Sequence, residues 1–241
     1  SIFSKAMWKK IPKIINYCWF GKNEKPDIIK KCINSWKKYC PDYEIIEWNE
    51  SNFDIKINDY VKEAYEQKRY AFVSDFARLW IIYNNGGIYL DTDVELIKNI
   101  DDLIEYDAFF SSEDNVYINT GLGFGSVKEN ELLKMLMDDY NEIKFIKDDG
   151  TIDKTTCPVR NTKIIKKYMN NEMVVFDKKI EYKNICFLPK EYFCPLDYET
   201  RKMKITENTR AIHWFSGTWM TPYEKFKKMV RKRLIKLIKR R

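Results

Sequence analysis

Apolar residues recur along this chain in two periods that take turns. Residues 11–20, Ile-Pro-Lys-Ile-Ile-Asn-Tyr-Cys-Trp-Phe, form a β-rich apolar run and predict a buried parallel strand. After Pro26, Ile29, Cys32, Ile33 and Trp36 recur at the three- and four-residue spacing of one helix face. Residues 43–48 predict a second strand, bounded by Pro41-Asp42 and by Asn49. A β-α-β opening of this kind begins a doubly wound sheet with a crossover helix. Residues 50–60 are polar and read as a loop and a short helix.

Residues 70–84 predict a strong helix with an apolar stripe of Phe72, Val73, Phe76, Leu79, Trp80 and Tyr83, stopped by Gly86 and Gly87. Residues 88–90 and 107–112 read as strands, and 118–126, with three glycines, as a turn and a strand. A helix is expected over 129–146, a polar loop over 147–162, short strands at 185–189 and 210–214, and a terminal amphipathic helix over 223–241. The pattern as a whole is α/β: a mostly parallel central sheet flanked by helices. No repeat or low-complexity linker divides it, so residues 1–222 are expected to form one domain and 223–241 an appended basic helix.

The most informative chemistry follows the two glycines. The run Gly-Gly-Ile-Tyr-Leu-Asp-Thr-Asp, residues 86–93, places Asp91 and Asp93 one residue apart at a strand end. On extended chain such a pair points to one face. One carboxylate can bind a hard divalent cation while the other holds its water or a sugar hydroxyl. Mg²⁺ and Mn²⁺ take oxygen ligands and keep positions open for substrate phosphates. On the preceding helix, Asp75 and Arg78 are three apart and share a face. An ordinary surface ion pair would look the same in sequence. Ligands of α/β sheets, however, sit at the carboxyl ends of parallel strands, where this helix leads. His213, the only histidine, ends an apolar strand in Ala-Ile-His-Trp-Phe-Ser-Gly-Thr-Trp, residues 211–219. Its imidazole would complete a Mn²⁺ or Mg²⁺ site from a second strand.

Composition narrows the setting. In 241 residues, 44% apolar, no stretch reaches the roughly 20 apolar residues that span a bilayer. No cleavable apolar run follows Ser1, although a leader removed upstream stays open because position 1 is not Met. The six cysteines include no C-x-x-C pair and read as reduced, mostly buried thiols rather than a zinc site. Net charge is +7, yet residues 223–241 hold ten Lys/Arg against one Glu, or +9, which leaves 7 − 9 = −2 elsewhere. A nucleic-acid binder would spread its basic residues over a fold face. Here they sit on a helix whose Phe226, Met229, Val230, Leu234, Leu237 and Ile238 follow helical spacing, which points to an anionic membrane surface.

Four motifs, at residues 11–21, 74–78 (Ser-Asp-Phe-Ala-Arg), 86–93 and 213–219, resemble glycosyltransferase family 32, the transferases with a sugar-binding DXD region. That group is related to clostridial toxin glucosyltransferase domains and yeast mannosyltransferases. The resemblance implies a GT-A fold, a nucleotide-sugar donor with UDP favoured, a divalent cation, and retention of anomeric configuration. Carried onto these residues, it implies that Trp19 and Phe20 flank the nucleotide base and Tyr89 lines the nucleoside pocket. Asp75 and Arg78 hold donor sugar hydroxyls. Asp91 shares the metal's water, while Asp93 and His213 ligate the metal. Ser216 and Trp219 contact the diphosphate, and Asn119 faces the transferred sugar. The family commonly has His where this chain has Asn16, and Gly-Ser-Trp where it has Gly217-Thr218-Trp219.

The implied reaction needs no enzyme nucleophile, since the leaving phosphate can take the acceptor's proton. Glu113 and Asp114 are candidates for such a nucleophile by position only and read as a solvated loop. The expected role is hexose transfer to a glycan or lipid-linked oligosaccharide in bacterial capsule or surface polysaccharide synthesis, on the cytoplasmic face of the plasma membrane. Alternatives are a toxin-like effector that glycosylates a host protein, a catalytically degenerate GT-A binding protein, and a metal-dependent nucleotidyltransferase or hydrolase. The last would need further carboxylates on adjacent strands, and the sequence offers no clear set.

Overall fold

A computed structural model describes residues 9–217, 220 and 222–239. In chain order the elements are β1 (Ile14–Cys18), α1 (Asp27–Tyr39), β2 (Glu44–Trp48), α2 (Asp59–Glu66), α3 (Tyr70–Asn85), β3 (Gly87–Tyr89), β4 (Val94–Leu96), β5 (Ala108–Ser111), β6 (Phe124–Ser126), α4 (Glu131–Asn141), α5 (Cys157–Met169), β7 (Ile180–Tyr182), β8 (Ile185–Leu188), β9 (Ala211–His213) and α6 (Pro222–Ile238).

Seven strands form one sheet in the order β2-β1-β3-β6-β5-β8-β7. Strand β1 runs parallel to β2 and β3, β5 runs parallel to β8, and β6 lies antiparallel between β3 and β5. Thus β2, β1, β3, β5 and β8 share one direction, and only β6 and the edge strand β7 oppose it. This is the mostly parallel sheet that the apolar runs predict.

Alternation along the strands sends side chains into two apolar layers. Tyr89, Phe110, Phe124 and Phe187 face the layer built by α3, α4 and α5. Ile88, Phe109, Leu122 and Leu188 face the other, which holds Trp36 of α1. On the first side Phe110 stacks with Phe124 at 5.6 Å and with Phe187 at 5.7 Å. On the second, fully buried Trp36 keeps its indole N–H satisfied by the Val94 carbonyl at 2.8 Å. Gly86 ends α3 at φ +70°, a left-handed conformation that glycine adopts without Cβ strain.

Two expected elements differ. The fourth helix stops at Asn141 rather than 146, because residues 145–147 bond elsewhere: Phe145 O accepts from Asp153 N and Lys147 N donates to Thr151 O. Residues 157–162, expected as loop, open α5, with Pro158 in its first turn. The polar look of that stretch misled because Asn161 and Thr162 point inward, where Thr162 Oγ1 accepts from Ile118 N at 2.9 Å.

The topology collects the functional segments on one edge. Pairing of Asn16 with Tyr89 aligns the carboxyl ends of β1 and β3. Because β6 runs the opposite way, its amino-terminal approach, residues 119–123, arrives at the same edge, and Asp91 N donates to Gly121 O at 3.1 Å.

Candidate active site

The Asp91-Thr92-Asp93 triplet lies in a turn between β3 and β4, closed by Val94 N donating to Asp91 O at 3.1 Å. The turn, rather than strand alternation, brings the two carboxylates together. Strands β4 and β9 pair antiparallel, with Val94 opposite His213. That pairing carries His213, 120 positions later in sequence, beside Asp93. Ligand atoms of Asp91, Asp93 and His213 all lie within 4.8 Å of one another.

Asp93 is buried and fully engaged. Its Oδ1 is 3.1 Å from His213 Nε2, and its Oδ2 accepts from Ser216 N at 3.0 Å and Ser216 Oγ at 3.1 Å. Burial alone would raise its pKa, but His213 and the Ser216 donors outweigh that and hold it at about 2. Burial pulls His213 down, and Asp93 more than offsets this, so its pKa stands above 6.5. Phe215 takes a left-handed φ of 51°, and its ring stands edge-on to His213 at 4.2 Å.

Arg78 is the second hub. It is 2% exposed, so its pair with Asp75 is buried within the α3 layer and is not a surface ion pair. Nη2 bonds Asp75 Oδ1 at 2.5 Å and Cys157 Sγ at 3.1 Å, Nη1 bonds Asp91 Oδ1 at 3.1 Å, and Nε bonds Thr120 Oγ1 at 3.0 Å. Four of its five N–H groups are thereby committed. Tyr89 OH donates to the same Asp91 oxygen at 2.7 Å. Burial raises Asp75 to about 6 despite Arg78, and raises Asp91 as well.

The other sequence-derived residues divide. Asn119 joins the site: its Oδ1 accepts from Gly121 N at 2.8 Å and lies 3.5 Å from Cys157 Sγ. Tyr89 is buried beneath Asp91, under the Arg78 guanidinium at 5.5 Å. Trp19 lines an open cleft of about 460 Å³ with Lys22, Lys25, Glu47, Asn49 and Glu50, at the carboxyl ends of β1 and β2. Phe20 turns instead into the core, against Phe53 at 5.7 Å. Ser216 bonds Asp93, and Trp219 lies outside the described residues. Asp114 caps its own loop through Val116 N and Tyr117 N, as a solvated turn does. Glu113 differs from that expectation. It is partly buried, and burial, Asp114 and the field of His213 all act on its carboxyl, with a net upward shift.

Sequence reading missed Thr120, Gly121, Cys157 and Asn161. Thr120 Oγ1 donates to Asn161 Oδ1 at 2.9 Å, which ties the Arg78 hub to α5. A Cβ on Gly121 would stand 2.3 Å from Asp91 Oδ2 and 3.1 Å from Arg78 Nη1. The Asn-Thr-Gly run beside Asn119 held that clue, whereas nothing near Cys157 marks it in sequence. Asn16 proves structural: Nδ2 donates to Ile88 O at 3.2 Å and Oδ1 accepts from Trp48 Nε1 at 2.9 Å, which joins β1 to β3 and β2. All six cysteines are buried and unpaired.

The donor set fits a divalent cation. Two carboxylates and an imidazole offer three ligand atoms, Gly121 leaves room against Asp91 Oδ2, and His213 Nδ1 is a buried atom without a hydrogen-bond partner, so Nε2 carries the ring's hydrogen bond to Asp93.

A family model described as glycosyltransferase sugar-binding region containing DXD motif matches residues 26–110. Inositol phosphoceramide mannosyltransferase 3 of Schizosaccharomyces pombe is 36% identical over 107 residues, 41% of this chain and 29% of that protein. Inositol phosphoceramide mannosyltransferase 1 of the same organism is 31% identical over 124 residues, 46% of this chain and 37% of that protein. The chain therefore spans well under half the length of either relative. Among solved structures, PaToxG glycosyltransferase superposes with a TM-score of 0.52 at 18% identity, over 67% of this chain and 71% of that one, a likeness of fold. Residues 26–110, which hold Asp75, Arg78, Asp91 and Asp93, match the model of glycosyltransferase sugar-binding regions containing a DXD motif, and they sit here on a mostly parallel α/β sheet.

Proposed function

We propose that this protein is a divalent-cation-dependent, retaining hexosyltransferase that moves a sugar from a nucleoside diphosphate to a glycan or lipid-linked oligosaccharide. The observation that carries the reading is the convergence of Asp91, Asp93 and His213 within 4.8 Å beside the Arg78 hub. A bound Mn²⁺ or Mg²⁺ supplies neutralising charge for the departing diphosphate. Asp93 and His213 would hold it, with Asp91 beside them. Ser216 fixes the Asp93 carboxylate now, and its hydroxyl is placed to turn toward a phosphate oxygen. Arg78 keeps Asp75 and Asp91 in register, and Asp75 Oδ2 with the remaining Arg78 N–H grips sugar hydroxyls. Trp19 offers a flat face to the base. The acceptor hydroxyl attacks on the face of the leaving group, and the departing phosphate oxygen takes its proton. The resemblance favours UDP, while the names of the two yeast relatives favour mannose, which is commonly activated by GDP. Surface polysaccharide assembly at the cytoplasmic face of the plasma membrane is the setting we propose.

Calorimetric titration with UDP and with GDP, each with Mn²⁺ and with EDTA, tests this on wild type and Asp93→Ala. We expect Mn²⁺-dependent binding of one nucleotide, abolished in the variant. Folded wild-type protein that binds neither would sink the assignment.

A further inference from the structure

Helix α6 leaves the body with six of its apolar side chains exposed. Tyr223, Phe226, Met229, Val230, Ile235 and Ile238 are exposed, Phe226 by 59% and Ile238 by 74%. Phe226, Met229 and Val230 are three and four apart and share one face. Lys and Arg occupy most intervening positions, seven of them in residues 223–238 against Glu224 alone. The helix is therefore not a cover for the core with a charged outer side.

Two contacts fix its start. Glu224 Oε1 pairs with Arg69 Nη1 at 2.9 Å, immediately before α3, the helix that carries Asp75 and Arg78. Lys228 Nζ lies 4.0 Å over the Tyr198 ring, Tyr198 meets Phe215 edge-on at 5.1 Å, and Phe215 meets His213. The first two turns of α6 are thus tied to the elements that carry Arg78 and His213. From Met229 onward, every described side chain of the helix is exposed.

We propose that α6 docks on an anionic lipid bilayer and so holds the site within about one helix length, about 25 Å, of a membrane-borne acceptor. The choice of occupant follows from charge and apolarity together. Apolar side chains enter the acyl boundary while flanking lysines and arginines reach phosphate headgroups. A nucleic acid would answer the charge and leave Phe226, Met229 and Val230 in water. A second copy would answer the apolar face and set two strongly basic helices against each other. No helix among the described residues is long and apolar enough to cross a membrane, so α6 is read as lying on the surface. The acceptor half of this proposal rests on the transferase reading, whereas the docking half does not.

Sedimentation of the full chain with vesicles tests it. The vesicles are phosphatidylcholine alone or mixed with phosphatidylglycerol, in low and high salt. The variants are Phe226→Glu/Val230→Glu and Lys232→Glu/Lys236→Glu, with nucleotide and Mn²⁺ titration run in parallel. We expect binding to mixed vesicles only, loss in high salt, and partition on the order of tenfold or more weaker in both variants. Nucleotide binding should stay unchanged in both. Wild-type protein that ignores mixed vesicles overturns the docking. So does equal binding to phosphatidylcholine, retention in both variants, or a self-association that Phe226→Glu/Val230→Glu abolishes. Failure of nucleotide titration with intact vesicle binding would remove the transferase reading and leave the docking standing.

Discussion

Gly121 stands where any side chain would collide with Asp91. The obstruction is the carboxylate itself, 2.3 Å from an added Cβ, with Arg78 behind it. Gly121→Ala should leave the fold intact and push Asp91 out of place, weakening Mn²⁺ affinity by roughly 10-fold or more, read by calorimetry. The Asp93–His213 pair makes a pH prediction whose sign can be worked out. Without metal, Asp93 is held at about 2 against an ordinary 3.8, so its stabilisation is present above 3.8 and lost as pH falls through 2. His213 is raised above 6.5, so its share is present below 6.5 and lost as pH rises through the raised value. A metal must displace that imidazole proton. Apparent Mn²⁺ affinity should therefore climb with pH from 6 upward, and His213→Gln should flatten the climb. A flat wild-type profile would remove His213 from the ligand set. In sequence His213 was visible as the lone histidine and, by resemblance, as a ligand beside Asp93, whereas the β4–β9 pairing that makes the two neighbours was not.

At the scale of elements, α3 is apolar on nearly every side and still buries an arginine. That placement is tolerable because Arg78 meets two carboxylates, a hydroxyl and a thiol at once. Arg78→Met should cost about 3 kcal/mol by urea denaturation, since it leaves mostly buried Asp75 and partly exposed Asp91 without a cation between them. The stripe of residues 70–84 predicted the helix correctly, and its capping glycine too. The spacing of Asp75 and Arg78 could not say whether they faced water or the sheet. Asn16 ties three strands through one amide. Asn16→Ala should lose about 1–3 kcal/mol and leave Mn²⁺ affinity nearly unchanged, because its amide bonds Ile88 O and Trp48 Nε1 rather than Asp91, Asp93 or His213. The start of α5 was hidden because its inward residues, Asn161 and Thr162, are polar, and Asn161 Oδ1 and Thr162 Oγ1 accept hydrogen bonds from Thr120 Oγ1 and Ile118 N.

Over the whole molecule, a site drawn from α3, β3, β9 and the approach to β6 couples ligand binding to folding. Mn²⁺ at 100 times its dissociation constant should add about 2.7 kcal/mol to unfolding stability by mass action. A thermal shift of wild type that is absent in Asp93→Ala would show it; equal shifts in both would place the ion elsewhere. Charge is divided at the same scale, with a near-neutral body and a C-terminal stretch, residues 223–241, that carries +9.

What the sequence determined by itself is local in origin. Strands, helices and the paired aspartates follow from periodicity, glycine stops and side-chain chemistry over a few residues. The parallel opening of the sheet follows as well, because a β-α-β run leaves few ways to connect. Tertiary structure decided what depends on distant partners. It sent Phe20 into the core, turned Asp91 and Asp93 together around a tight loop, and set Cys157 and Thr120 against Arg78. It also left Phe226, Met229 and Val230 of α6 exposed. These outcomes depend on which surfaces meet across the sheet, and no window of neighbouring residues contains that information.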